Sequence, residues 1–195
     1  MGKEPDYGKM IQNKMREVEI EKMVLNCGGL DEKLERSVKL LEMITGRKVS
    51  KTIARKRIPT FGISPGKAAG CRVTIRDKEQ ITNLLKRFFS AVSNKINKRK
   101  IQVNHFSFGI HEYIEVPGLE YRREIGIAGF DITIVFKRKG KRVILKKIKQ
   151  GKHSKKQDVT IEEIIEYLTK HFKIKIETKE KTNDRIWLEK SIKTI

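Results

Sequence analysis

The sequence predicts an α+β fold: a mainly antiparallel sheet with helices packed on one face, plus basic loops and a C-terminal extension. Three observations lead there. Apolar residues alternate in several short runs. They recur at helical spacing in three others. The runs follow one another in the order β-α-β-β-α-β-β-α, with no internal repeat.

Glu17 to Cys27 reads as the first strand, because Val18 and Ile20 alternate with acids. Asn26 precedes the turn-prone Gly28-Gly29. Leu30, Leu34, Val38, Leu41 and Ile44 then recur at helical spacing up to Gly46, where a helix stop is expected. Thr52 to Pro59 is basic and extended, and leads into Phe61-Gly62-Ile63-Ser64-Pro65-Gly66, a loop or hairpin tip. Cys71 to Arg76 alternates as a strand. Asp77 and Gln80 read as a capping box before the strongest helix, whose wide apolar face is Ile81, Leu84, Leu85, Phe88, Phe89 and Val92. Two long strands are expected next: His105 to Val116, with Phe106, Phe108, Ile110 and Ile114, and Ile125 to Phe136, with Ile132, Ile134 and Phe136. Thr160 and Glu163 form a second capping box and open a helix carrying Ile161, Ile164, Ile165 and Leu168. The expected division is a tail over 1–12, one domain over 13–172 and an extension over 173–195. That extension alternates charged and apolar residues, includes the single Trp187, and reads as a segment that orders against a partner.

Charge narrows the function. Lys and Arg number 45 against 24 Asp and Glu, a formal net charge of +21 on 195 residues of which 37% are hydrophobic. Self-repulsion of that size works against compactness, so its simplest use is to neutralise a polyanion. A membrane surface is the weaker choice of polyanion. No apolar run approaches the roughly 20 residues that cross a bilayer, and no amphipathic helix has a concentrated basic face. The N-terminus lacks the apolar core of a secretion signal, so the cytoplasm is the expected compartment. Cys27 and Cys71 sit in no C-x-x-C pair and read as reduced, structural thiols.

Enzyme readings fail on spacing. Gly62-x-x-x-Gly66-Lys67-Ala68 has three residues where a phosphate loop needs four, and Ala68 where the magnesium-holding Ser or Thr should stand. His111-Glu112 starts like a zinc protease helix, but Glu115 occupies the place of the second histidine. No nucleophile elbow surrounds a serine. Neither catalytic residue, metal nor cofactor is expected.

Two basic segments carry the positive reading. Lys137, Arg138, Lys139, Lys141, Arg142, Lys146, Lys147, Lys149, Lys152, Lys155 and Lys156 follow one another without an intervening acid. Like charges that close repel unless a polyanion screens them. Short Lys/Arg clusters also serve as nuclear import signals, so the stretch is compatible with transit through the nucleus or nucleolus for assembly. Lys48, Lys51, Arg55, Lys56 and Arg57 form the second patch and lead to Phe61. Cations there suit phosphates, and an exposed ring suits an unpaired base.

Seven segments resemble one family, the universal large-subunit ribosomal protein called protein five in bacteria and protein eleven in eukaryotes. They are Asn13-Lys-Met-Arg16, Ile20-x-Lys-Met-Val-Leu-Asn26, Thr45-Gly46, Phe61-Gly-Ile63, Arg72-Val-Thr-Ile-Arg76, Phe108-Gly-Ile-His-Glu112 and Ile125-Gly-Ile-Ala-Gly-Phe-Asp-Ile132. They keep the family's order and approximate spacing over about residues 10–172, and Gly151-Lys-His153 favours the eukaryotic and archaeal form.

The resemblance implies a structural constituent of the large ribosomal subunit, seated in the central protuberance. Such a protein binds 5S rRNA and large-subunit rRNA, contacts peptidyl-site tRNA and bridges to a small-subunit protein. Its implied rRNA-binding residues are Arg16, Lys22, Asn26, Arg47, Lys48, Lys51, Arg55, Lys56, Phe61, Ser64 and Lys67. Asn26 and Phe61 match family positions outright, whereas Arg47 stands for a Gln and Ser64 for an Arg. Ser64 loses a charged fork that neighbouring Lys67 is placed to replace. The implied tRNA-facing loop includes Arg57, Thr60, Gly62 and Ile63. The alternative is a free RNA-binding module that stacks bases on a sheet, with Phe106 and Phe108 as its rings. An RNA-modifying or DNA-processing enzyme is a more distant alternative, because neither a carboxylate cluster nor a nucleotide loop is present.

Overall fold

The apolar phase of the first strand slips by one residue. Ile20 is buried, but the next buried positions are Met23, Leu25 and Cys27. The slip is absorbed by a bulge between Ile20 and Lys22, which keeps both halves of the strand facing the core.

The computed structural model describes residues 15–152 and 154–177. The N-terminal tail, Asn13, His153 and Trp187 lie outside those residues. In chain order the elements are β1 (Val18–Gly28), α1 (Asp31–Thr45), β2 (Ser50–Ile53), β3 (Ala68–Ile75), α2 (Lys78–Ala91), β4 (Lys95–Asn97), β5 (Ile101–Gln102), β6 (His105–Ile110), β7 (Phe130–Arg138), α3 (Arg142–Leu145), α4 (Ile161–Phe172) and β8 (Lys175–Glu177). Among the described residues, six strands form one sheet in the order β2-β3-β1-β7-β6-β5. Every pairing in it is antiparallel. The expected α+β architecture stands.

One face of that sheet is the core. Phe106, Phe108, Ile132, Ile134, Phe136, Val73 and Ile75 point into it and meet Leu40 and Leu41 of α1, Leu85 and Phe89 of α2, and Ile164 and Leu168 of α4. Phe89 is the hub. It stacks on Phe108 at 5.4 Å and on Phe106 at 6.2 Å, and meets Phe172 edge-on at 5.2 Å. Each such ring contributes roughly 1.5–3 kcal/mol by burial, so the core is anchored where α2 crosses β6. The residues between the inward ones, such as Lys22, Asn26, Arg72 and Thr133, remain partly or fully exposed. That leaves the opposite sheet face open among the described residues.

Helix ends follow the sequence in two cases of three. Gly46 ends α1 in the left-handed conformation at φ 63°. Thr160 and Glu163 form the reciprocal capping box of α4. The box expected at Asp77 and Gln80 does not form. Asp77 precedes α2 but makes no side-chain cap bond. Gln80 instead donates to the Thr45 carbonyl at 3.0 Å and accepts from the Arg47 guanidinium at 2.7 Å. Tertiary partners outcompete the local one.

Both long strands are shorter than expected. The strand over His105 to Val116 stops at Ile110, and Tyr113–Glu115 form a 3₁₀ turn. Tyr113 is buried there, its hydroxyl accepting the Arg122 N–H at 2.8 Å, while Ile114 is left exposed. Gly129 explains the exit, since a Cβ there would lie 2.5 Å from the His111 carbonyl oxygen where the two segments cross. The strand over Ile125 to Phe136 begins only at Phe130. Ile125 is buried from a turn, and Ile127 faces solvent.

Regular structure continues past Phe172. Ile174 is buried, and β8 pairs in parallel with β4. These two short strands, with β5 and α3, extend the expected order of elements.

Candidate nucleic-acid interface

Strands β2 and β3 continue past the sheet as a hairpin arm. The Ala54 N–H donates to Lys67 at 2.9 Å and the Gly66 N–H to Ala54 at 3.0 Å. Ile58 and Ile63 bridge the arm further out, at 2.9 and 3.1 Å. Pro59 opens a single 3₁₀ turn over Pro59–Phe61, and Gly62 closes it at φ 65°. The turn carries Phe61 at the tip, 67% exposed, with Thr60 and Gly62 exposed beside it and Ile63 half-buried. Among the described residues no helix covers β2, whose four residues are all exposed. The ring therefore has no core within reach.

Cations cluster around this arm. Lys48, Lys51, Arg55, Lys56 and Arg57 are exposed and, among the described residues, form no ion pair. Ser64 is exposed as well. Lys67 is committed elsewhere, its ammonium bound to Asp31 at 2.8 Å at the start of α1. Arg47 is held by Gln80, which fixes its direction beside the root of the arm.

The arm adjoins the open sheet face, where register sets the composition. Asn26 lies between Arg72 and Asp131; Ser50 is opposite Arg72, and Gly109 opposite Asp131. The next row runs Thr74, Val24, Thr133 and Ser107, whose hydroxyl shares a hydrogen with that of Thr133 at 3.0 Å. Lys22, Val135 and His105 form the third. Arg16 is half-buried just before β1. Arg72 belongs to this surface and was missed as a site residue. Its signal was present, since alternation with Cys71 and Val73 puts it beside Asn26.

The run from Lys137 to Lys156 divides into three environments. Arg138 is 6% exposed and does not reach the surface: its guanidinium pairs with both carboxylate oxygens of Glu163 and lies 3.5 Å from the Lys156 carbonyl. Lys139 binds Glu17 at 2.8 Å and sits 3.8 Å from Glu19, and Lys141 binds Glu21 at 2.6 Å. The bond to Glu17, with the charges of Glu17 and Glu19, raises the Lys139 pKa above its ordinary value. Lys137 lies half-buried on the open face of the sheet. Arg142, Lys146, Lys147, Lys149, Lys152, Lys155 and Lys156 are exposed and form no ion pair among the described residues. Their loop also exposes Leu145 and Ile148, and is closed by the Gly151 N–H donating to Val143 at 3.2 Å.

The same geometry overturns the sheet-stacking alternative. Phe106 and Phe108 are buried under Phe89 on the helix side, so neither can take a base. The open face presents hydroxyls, amide and charge in their place.

Comparison with known proteins agrees. The family described as "Ribosomal protein L5" matches residues 13–63, and the "ribosomal L5P family C-terminus" matches residues 68–186. The large ribosomal subunit protein uL5 of Picrophilus torridus is 38% identical over 169 residues, 85% of this chain and 96% of that protein. That of Pyrobaculum aerophilum is 37% identical over 166 residues, 84% and 92% of the two chains. That of Methanospirillum hungatei is 34% identical over 168 residues, 85% and 99%. With both halves matched and full-length archaeal relatives at this identity, the chain belongs to the ribosomal protein L5 family in its archaeal form, a structural and non-enzymatic constituent of the large ribosomal subunit.

Proposed function

We propose that this ribosomal constituent holds 5S rRNA against the large-subunit rRNA, with the hairpin arm and the Arg72–Asn26–Asp131 row as its 5S surface. The observation that carries the reading is Phe61, exposed at the tip of an arm on which Lys51, Arg55, Lys56 and Arg57 have no carboxylate partner among the described residues. Phosphates displace counterions along Lys48, Lys51, Arg55 and Lys56, which supplies most of the affinity. Phe61 stacks on an unpaired base, and Asn26 and Arg47 hydrogen-bond to irregular RNA. Asp131 beside Asn26 repels phosphate, so that row favours base edges and ribose hydroxyls over backbone.

The other contacts divide along the same lines. Arg57, Thr60, Gly62 and Ile63 at the outer end of the arm face peptidyl-site tRNA. The loop from Arg142 to Lys156 engages large-subunit rRNA. A bridge to a small-subunit protein rests on the family resemblance alone.

Affinity for a 5S transcript, compared at fixed salt with an unrelated RNA of the same length, tests the proposal. The expected outcome is a clear preference for 5S, together with sedimentation of the native chain in large subunits. Equal affinity for both RNAs would remove 5S as the specific partner.

A further inference from the structure

Two thiols face one another near the end of β1. In the antiparallel register Cys27 stands directly opposite Cys71, and both are free. They lie on the core side of the sheet, 3% and 0% exposed. Opposed residues in such a pair have Cα atoms roughly 4.5–5.5 Å apart, within the roughly 4.4–6.8 Å that a disulfide spans. The Cys27 thiol donates to the Gly129 carbonyl at 3.6 Å.

The two sulfurs are not equivalent. The adjacent Cys27 thiol and the Lys51 charge hold the Cys71 pKa below the ordinary thiol value against the opposing effect of burial. Cys27 is pushed up by its neighbour Cys71 and by burial. One sulfur is thus disposed to be the thiolate and the other to keep the proton. α1 packs on the core face of β3, so access is through the sheet edge, where the exposed four-residue β2 is the outer strand and the next opposed pair, Gly28 and Gly70, has no side chains. Edges of this kind open locally far more often than the core unfolds.

We propose that Cys27 and Cys71 are a peroxide-sensitive dithiol that closes to a cross-strand disulfide. The Cys71 thiolate attacks one oxygen of hydrogen peroxide, the O–O bond breaks, and the departing hydroxide takes up a proton as water. Cys71 is left as a sulfenic acid. The Cys27 sulfur then attacks the Cys71 sulfur, the S–O bond breaks, and the oxygen leaves as a second water with the Cys27 proton. Two thiols and one peroxide give one disulfide and two waters. Neighbouring Asn26 and Arg72 lie on the other face, so the bond forms beneath the polar row without using its side chains.

The test uses the full reduced chain, treated in native buffer with stoichiometric hydrogen peroxide, then alkylated in denaturant and weighed. The expected result is loss of two hydrogens, protection of both cysteines, a single Cys27–Cys71 cross-linked peptide and reversal by dithiothreitol. In Cys27→Ser, whose folding is checked by circular dichroism, a dimedone adduct on Cys71 is expected instead. Closure only in urea, cross-linking only between chains, or full alkylation of both thiols after native treatment would each overturn the proposal.

Discussion

Two segments of this chain look alike as strings of Lys and Arg and are quite different as surfaces. The arm around Arg55 and Lys56 projects from a sheet edge, and apart from Lys67, which pairs with Asp31, its cations meet no carboxylate among the described residues. The run beginning at Lys137 starts inside the fold. There Arg138 serves the core through Glu163, and Lys139 and Lys141 are drawn to Glu17, Glu19 and Glu21 along β1. Among the described residues, the run presents unpaired charge at Lys137 on the open face and then from Arg142 onward. Charge density along a chain therefore overstates the charge offered to a polyanion, and the correction comes from the neighbouring strand.

The largest effect is expected where the run is least like the arm. Arg138→Ala leaves Glu163 partly buried without its cation, at a cost of about 3 kcal/mol, near the low end for broken buried pairs because Glu163 retains some exposure. Urea denaturation should show that loss. RNA affinity per folded molecule should change little, and a large drop in affinity with stability intact would return Arg138 to the RNA surface. Phe61→Ala should do the reverse. Affinity for 5S RNA is expected to fall by about 1–3 kcal/mol, the usual worth of one stacked base, while stability stays within about 0.5 kcal/mol. Unchanged affinity would take the ring out of the interface.

Much of this division was legible in the sequence, and the part that was not has a physical cause. Helical periodicity located α1, α2 and α4 because each buries a wide stripe, and Gly46 and Thr160 marked their ends. The exposed Phe61 followed from a Pro and Gly pair that shapes a tip too short to fold back on a core. Ile114 and Ile125 misled, since Ile114 is exposed on a 3₁₀ turn and Ile125 is buried from a turn, and alternation cannot tell a turn residue from a strand residue. Gln80 misled because a capping partner three residues along is also free to bond across the fold to Thr45 and Arg47. The pairing of Arg138 with Glu163 was invisible for a different reason. A local reading of charge sees only neighbours in sequence, and these two are joined by an antiparallel sheet and a helix cap.

Smaller effects sharpen the contrast between arm and run. Lys56→Ala should lower affinity for every RNA about equally and flatten the salt dependence by roughly 0.7–0.9 of a unit, the contribution of one phosphate contact. Lys139→Ala should change the slope less, because the ammonium is already partly neutralised by Glu17 and Glu19. A slope change equal to that of Lys56→Ala would erase the distinction between the two segments.

The smallest effect is also the most direct. In the Glu17→Gln, Glu21→Gln double variant, Lys139 and Lys141 lose their nearest carboxylates. The exposed Lys139–Glu17 pair contributes only about 0.2–1 kcal/mol to stability and the Lys141–Glu21 pair is only partly buried, so the fold should tolerate the change with a small shift in its denaturation midpoint. RNA should bind about two- to fivefold more tightly at low salt, because phosphates no longer compete with carboxylates for the same ammonium groups, and the gain should fade as salt screens both. Unaltered affinity at low salt would mean that β1 and the start of the run face away from RNA, which would confine the interface to the arm, the open row and the loop beyond Arg142.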